Sequence, residues 1–153
     1  MAQLSLSIQL APDAGESPAD RRQLRRWANA ALACDAALTL RLVGAKEARK
    51  LNAQFRGRDY ATNVLTFAYD DDADDATAQE SLLQADIVIC LPVVAREARE
   101  QGKSVRNHLA HLIVHGVLHA QGMDHEIAAE ARAMEDLEIA VLRRFRIGNP
   151  YLA

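Results

Sequence analysis

Hydrophobic and polar positions change period several times along this chain, and each change marks an element. Leu4, Leu6, Ile8 and Leu10 alternate with Ser5, Ser7 and Gln9, the period-two pattern of a strand. Ser17 and Pro18 form a cap and first-turn pair, so a helix is expected over Asp20 to Ala33 with Leu24, Trp27 and Leu32 toward the core. Leu38, Leu40 and Leu42 give a second strand, and Gly44 opens a helix from Ala45 to Phe55, followed by a loop over Arg56 to Ala61. Val64, Leu65, Phe67 and Tyr69 make a third strand. A fourth, Asp86 to Leu91, carries the unbroken apolar run Ile87-Val88-Ile89-Cys90 of a strand buried on both faces. Pro92 starts a helix that stops at Gln101-Gly102, and Ser104 caps the next, in which Leu109, Leu112, Ile113, Val117 and Leu118 mark a central buried helix. Helical spacing returns from Ala128 to Phe145 through Ala131, Met134, Leu137, Ile139 and Leu142. The pattern predicts an α+β fold over residues 1–153 as a single domain, with a mixed four-stranded sheet, about five helices packed on it, and the Ser104-capped helix in the middle.

Composition narrows the class. Half of the 153 residues are hydrophobic and a quarter charged, which suits a globular chain and excludes a disordered or fibrous one. No apolar run approaches the roughly 20 residues of a membrane span, and no basic-then-apolar segment opens the chain, so a cytoplasmic protein is expected. Cys34 and Cys90 lack C-x-x-C spacing and read as reduced, buried thiols. Asp70, Asp71, Asp72, Asp74 and Asp75 repel one another and read as a solvated acidic loop. Residues 1–69 carry a balance of +4 and residues 70–153 one of −7. A nucleic-acid partner would therefore meet the first half, whose arginines suit equally an ordinary solvated helix face.

The candidate chemistry lies in His115-Gly116-Val117-Leu118-His119-Ala120-Gln121-Gly122-Met123-Asp124-His125. Four residues apart on a helix, His115 and His119 sit one turn above each other and can take adjacent corners of a tetrahedron. Gly122 can adopt the positive φ that ends the helix and brings His125 back to the same ion. Three imidazoles and one open position make a catalytic zinc site. His108 and His111 continue the same stripe and are read as structural or rim residues. The spacing H-x-x-x-H-x-x-G-x-x-H is also that of the metzincin peptidases, but their general base follows the first histidine directly, where Gly116 stands here.

The histidine stretch resembles the hallmark H-G-x-L-H-x-x-G-Y-D-H of the YbeY family of bacterial rRNA-maturation endoribonucleases, with Met123 in place of the tyrosine. Phe55-Arg56-Gly57 and Ala61-Thr62-Asn63-Val64-Leu65-Thr66-Phe67 are similar to a second family block, with Ala61 for Pro and Thr66 for Ser. Ala85-Asp86-Ile87-Val88-Ile89 is similar to its G-D-I/V-V-I strand. The resemblance implies a zinc-dependent endoribonuclease specific for single-stranded RNA and not DNA. It implies work in small-subunit rRNA 3′-end maturation and ribosome quality control, with the small subunit and assembly factors as partners. It assigns the metal to His115, His119 and His125 and a required role to Arg56, whose guanidinium suits the charge that builds on phosphoryl oxygens. Two other classes use the same histidines: a metzincin-like metallohydrolase or peptidase, and a non-catalytic assembly factor stabilised by zinc. Asp124, beside the third histidine, suits orienting an imidazole or capping the turn.

Overall fold

In a computed structural model of the protein, residues 3–69, 82–123 and 126–152 are described. The acidic segment from Asp70 to Asp75, with Asp124 and His125, lies outside them. Four strands, β1 (Leu4–Leu10), β2 (Ala36–Val43), β3 (Val64–Tyr69) and β4 (Leu83–Cys90), form one sheet in the order β1-β2-β4-β3. β2 pairs in parallel with β1 and β4, while β3 runs antiparallel to β4 at the edge, so the sheet is mixed as expected. Parallel neighbours need a crossover, and α1 (Arg21–Ala30) supplies the one from β1 to β2. The apolar run of β4 lies in the core, as a strand paired on both edges with helices packed on it: Ile87, Val88, Ile89 and Cys90 are all buried.

α2 (Ala45–Arg56) precedes β3, and α3 (Leu91–Gln101), α4 (Val105–Ala120) and α5 (Ala128–Arg143) follow β4. α4 is the central helix, packed on α1, α3, α5 and the sheet, with Leu109, Ile113, Val114 and Val117 fully buried. Its start is fixed as the sequence suggests, by Ser104 Oγ accepting from Asn107 N at 3.0 Å.

Several expectations are corrected. α1 is capped by Asp20, which accepts from Gln23 N at 2.8 Å, while the Ser17 hydroxyl turns onto Ala19. A carboxylate at the cap with Gln three residues on is a capping-box spacing that outcompetes Ser-Pro. α1 ends at Ala30, and α5 at Arg143. Leu91 belongs to α3 and not to β4. Cys34 is exposed, and only Cys90 is buried, its thiol pushed up by burial. In α5 the apolar stripe runs through Met134, Val141 and Leu142, while Leu137 is exposed and the buried position beside it is a carboxylate, Glu138, at 1% exposure.

Candidate metal centre

Four imidazoles line up along α4, and their hydrogen bonds divide them. His119 Nδ1 lies 2.8 Å from the carbonyl of Met123, and His115 Nδ1 lies 3.1 Å from Glu138 Oε1. Both acceptors can only accept, so each Nδ1 carries a proton, and the neutral form of each ring has its lone pair on Nε2. The two rings stack, with centroids 6.4 Å apart and planes within 10°. His111 and His108 are held by the opposite nitrogen: His111 Nε2 lies 2.8 Å from Glu138 Oε1, and His108 Nε2 lies 2.9 Å from Glu97 Oε1. Burial pushes the His108 imidazole down against the raising effect of Glu97.

Glu138 is the residue that sequence reasoning missed. Burial alone would push its carboxyl up, but the hydrogen bonds from His111 and His115 outweigh that and bring it down to about 2. Its second oxygen accepts from the Tyr151 hydroxyl at 2.8 Å, and Tyr151 is pushed up by burial and by the Glu138 charge. The signal was its place in the stripe, four residues after Met134 and four before Leu142. A cleft of about 420 Å³ opens beside these groups, lined among others by Asn63, Lys103, His108, His111, His115 and Tyr151. In that lining Lys103 donates to the Pro150 carbonyl at 2.6 Å, and Asn63 donates to Glu97 at 3.1 Å.

The two glycines of the motif do different work. Gly122 has φ 95°, the positive value that turns the chain out of α4. Gly116 faces the sheet: a Cβ there would stand 2.9 Å from Ile87 Cγ2 and 3.4 Å from Thr66 Oγ1. The position after the first histidine is thus filled by β3 and β4, with no room for a base or a substrate. Arg56 is the last residue of α2 and not a loop residue, since Gly57 at φ 67° takes the left-handed cap. It is exposed, has no ion pair among the described residues, and does not line the histidine cleft. Its neighbour Phe55 packs edge-on against Phe67, on the face of β3 opposite Thr66. His115 and His119 are therefore brought together, Arg56 is not placed against them, and His125 lies outside the described residues. Among the described residues no group of three or more His, Cys, Asp or Glu is arranged to hold a metal ion.

The sequence matches the family model described as "Endoribonuclease YbeY" over residues 15–146. The chain belongs to that family. Proteins called Endoribonuclease YbeY share 52% of residues with it in Thiobacillus denitrificans, over 97% of each chain, and 52% in Bordetella pertussis, over 99% of this chain and 98% of the relative. A relative of the same name from Azoarcus is also 52% identical but longer, this chain spanning 60% of its length. A Thermotoga maritima protein solved in solution superposes with a TM-score of 0.58 at 24% identity, covering 97% of this chain and 96% of that one, a likeness of fold.

Proposed function

We propose that this chain is a zinc-dependent endoribonuclease that cuts single-stranded RNA, that it acts in the cytoplasm on the 3′ end of small-subunit rRNA and in ribosome quality control, and that the small subunit and its assembly factors are its partners. Family membership supports the nuclease activity. The observation that carries the metal is the pair His115 and His119, one helical turn apart, each with Nδ1 given to an acceptor and its lone pair on Nε2. That donor set fits zinc, and His125 is the proposed third ligand, leaving one position for substrate or water. When bound, the ion supplies Lewis acidity at the phosphodiester and at water.

The chain's own groups do the rest. Glu138 and the Met123 carbonyl orient the ligand rings. The cleft beside His115 has Lys103 in its lining, an ammonium that adds positive charge there. Arg56 is the proposed donor to the phosphoryl oxygens in the transition state, supported by its exposure and by its having no ion pair among the described residues. A peptidase reading has nothing to support it here, because Gly116 packs on the sheet where the base would have to stand.

Cleavage of a labelled single-stranded RNA tests the proposal beside its duplex and a casein-like peptide, with zinc and with a chelator. Zinc-dependent cutting of the single strand alone is expected. Replacing His115, His119 or His125 by Ala should each strip zinc by elemental analysis, while His108→Ala should keep it. Full metal content in any of the first three would remove that residue from the centre, and zinc binding without cleavage would favour a non-catalytic assembly factor.

A further inference from the structure

The histidine stripe contains two chemically equivalent pairs, and only one of them reads as a metal site. His111 with His115 and His115 with His119 are both four residues apart, and both have ring centroids 6.4 Å apart. Their orientations differ: the first pair is near perpendicular at 77°, the second near parallel at 10°. Nothing in α4 itself distinguishes them. The difference lies in what reaches the stripe from α5.

We infer that Glu138 is a positioning residue that sorts this stripe, presenting His115 as a ligand and withdrawing His111 from the ligand set. This rests on the reading of His115 as a ligand given above. One oxygen of Glu138 serves both rings but meets different nitrogens, Nδ1 of His115 at 3.1 Å and Nε2 of His111 at 2.8 Å. Because a carboxylate only accepts, His115 is held with its lone pair at the far end of the ring, on Nε2, where an ion outside the helix can be met. His111 is held the other way. Its outward nitrogen carries the proton, and its lone pair is on Nδ1, which is buried and has no hydrogen-bond partner.

The arrangement repeats one turn earlier with a different acid. His108 gives Nε2 to Glu97, and its Nδ1 is likewise buried and without a partner. Two carboxylates therefore close the first two imidazoles of the stripe by their outer nitrogen. Glu138 and a backbone carbonyl fix the last two by their inner one. Glu138 is itself kept from the metal, since its second oxygen is taken by the Tyr151 hydroxyl at 2.8 Å and its side chain is 1% exposed. The Tyr151 hydroxyl also lies 3.3 Å from His111 Nε2, so the C-terminal segment braces the closed ring and its carboxylate together.

The full chain tests this with Glu138→Gln and His111→Ala. The readouts are zinc affinity by competition with a chromophoric chelator, melting of the metal-free protein, and ring tautomers of the metal-free protein by long-range ¹⁵N–¹H correlation. In the wild type His115 should show Nδ1–H and His111 Nε2–H. Glu138→Gln should bind zinc about 10- to 100-fold more weakly. Its His115 should become a mixture of tautomers, since a neutral amide accepts more weakly than the carboxylate and can turn its NH2 toward the rings. His111→Ala should keep wild-type zinc affinity. An unchanged affinity together with an unchanged His115 tautomer in Glu138→Gln would overturn the inference, as would loss of zinc from His111→Ala. Should Glu138→Gln fail to fold, the wild-type His111 tautomer and the His111→Ala affinity still decide it. A wild-type chain that binds no zinc would instead fail the metal reading, leaving the tautomers of the metal-free protein as a separate measurement.

Discussion

A guanidinium without an acidic partner at the end of a helix keeps its full capacity for a phosphate, and Arg56 has no ion pair among the described residues. If it stabilises the transition state, Arg56→Ala should leave zinc content and melting temperature near wild type while cleavage falls by about 10²-fold, the usual loss for one such donor. Arg56→Lys should recover little, because an ammonium cannot offer the paired hydrogen bonds. Unchanged cleavage in Arg56→Ala would make it an ordinary surface arginine. At this scale the pairing of the two rings was legible, since spacing alone put His115 and His119 on one face. Glu138 was not. A charged residue is normally assigned to solvent, and its burial becomes tolerable only when donors from α4 and the C-terminal segment converge on it.

Between elements, the closest approach is that of α4 to the sheet, and it depends on Gly116. A methyl group there would stand 2.9 Å from Cγ2 of Ile87, a β-branched side chain in the core that has little freedom to move aside. Gly116→Ala should therefore destabilise the protein despite the better helix propensity of alanine, by a net of up to about 2 kcal/mol once overpacking is set against propensity, read as a lower denaturant midpoint. A stabilised variant would show that the strand shifts freely. Gly116→Glu should unfold the protein or displace α4, and should gain no peptidase activity. The sequence announced α4 through its Ser104 cap and apolar face, and β4 through its unbroken apolar run. It misplaced the start of α1 and the end of α2, where the choice between Ser17 and Asp20, or between Phe55 and Gly57 as the stop, turns on which group finds its hydrogen-bond partner.

Across the whole molecule, charge is arranged by the fold and not by halves of the chain. Arg41 and Arg49 of the basic half are paired with Glu47 and Asp59, whereas Arg26 lines one hollow with Arg106, Arg144 and Arg146 of the acidic half. Glu138 joins three parts of the structure, α4, α5 and the segment carrying Tyr151, and so links stability to pH. Its pKa is lowered on folding from 4.5 to about 2, so the stability it adds is complete above the unfolded value and is lost as pH falls through about 2. In the metal-free protein, the urea midpoint of the wild type should exceed that of Glu138→Gln most above pH 4.5, and the gap should close toward pH 2. A gap independent of pH would show that the carboxylate charge is not what holds these parts together. What the sequence determined by itself was periodic or local: the strands, the helices, the mixed α+β class, the histidine spacing and the turn at Gly122. Each of these is set by residues a few positions apart. Only the tertiary structure decided that Gly116 is a packing contact, that Cys34 is exposed while Glu138 is buried, and which ring nitrogen each histidine turns outward. For Gly116, His111, His115 and Glu138 the groups that meet are 23 to 50 positions apart, which no local pattern records.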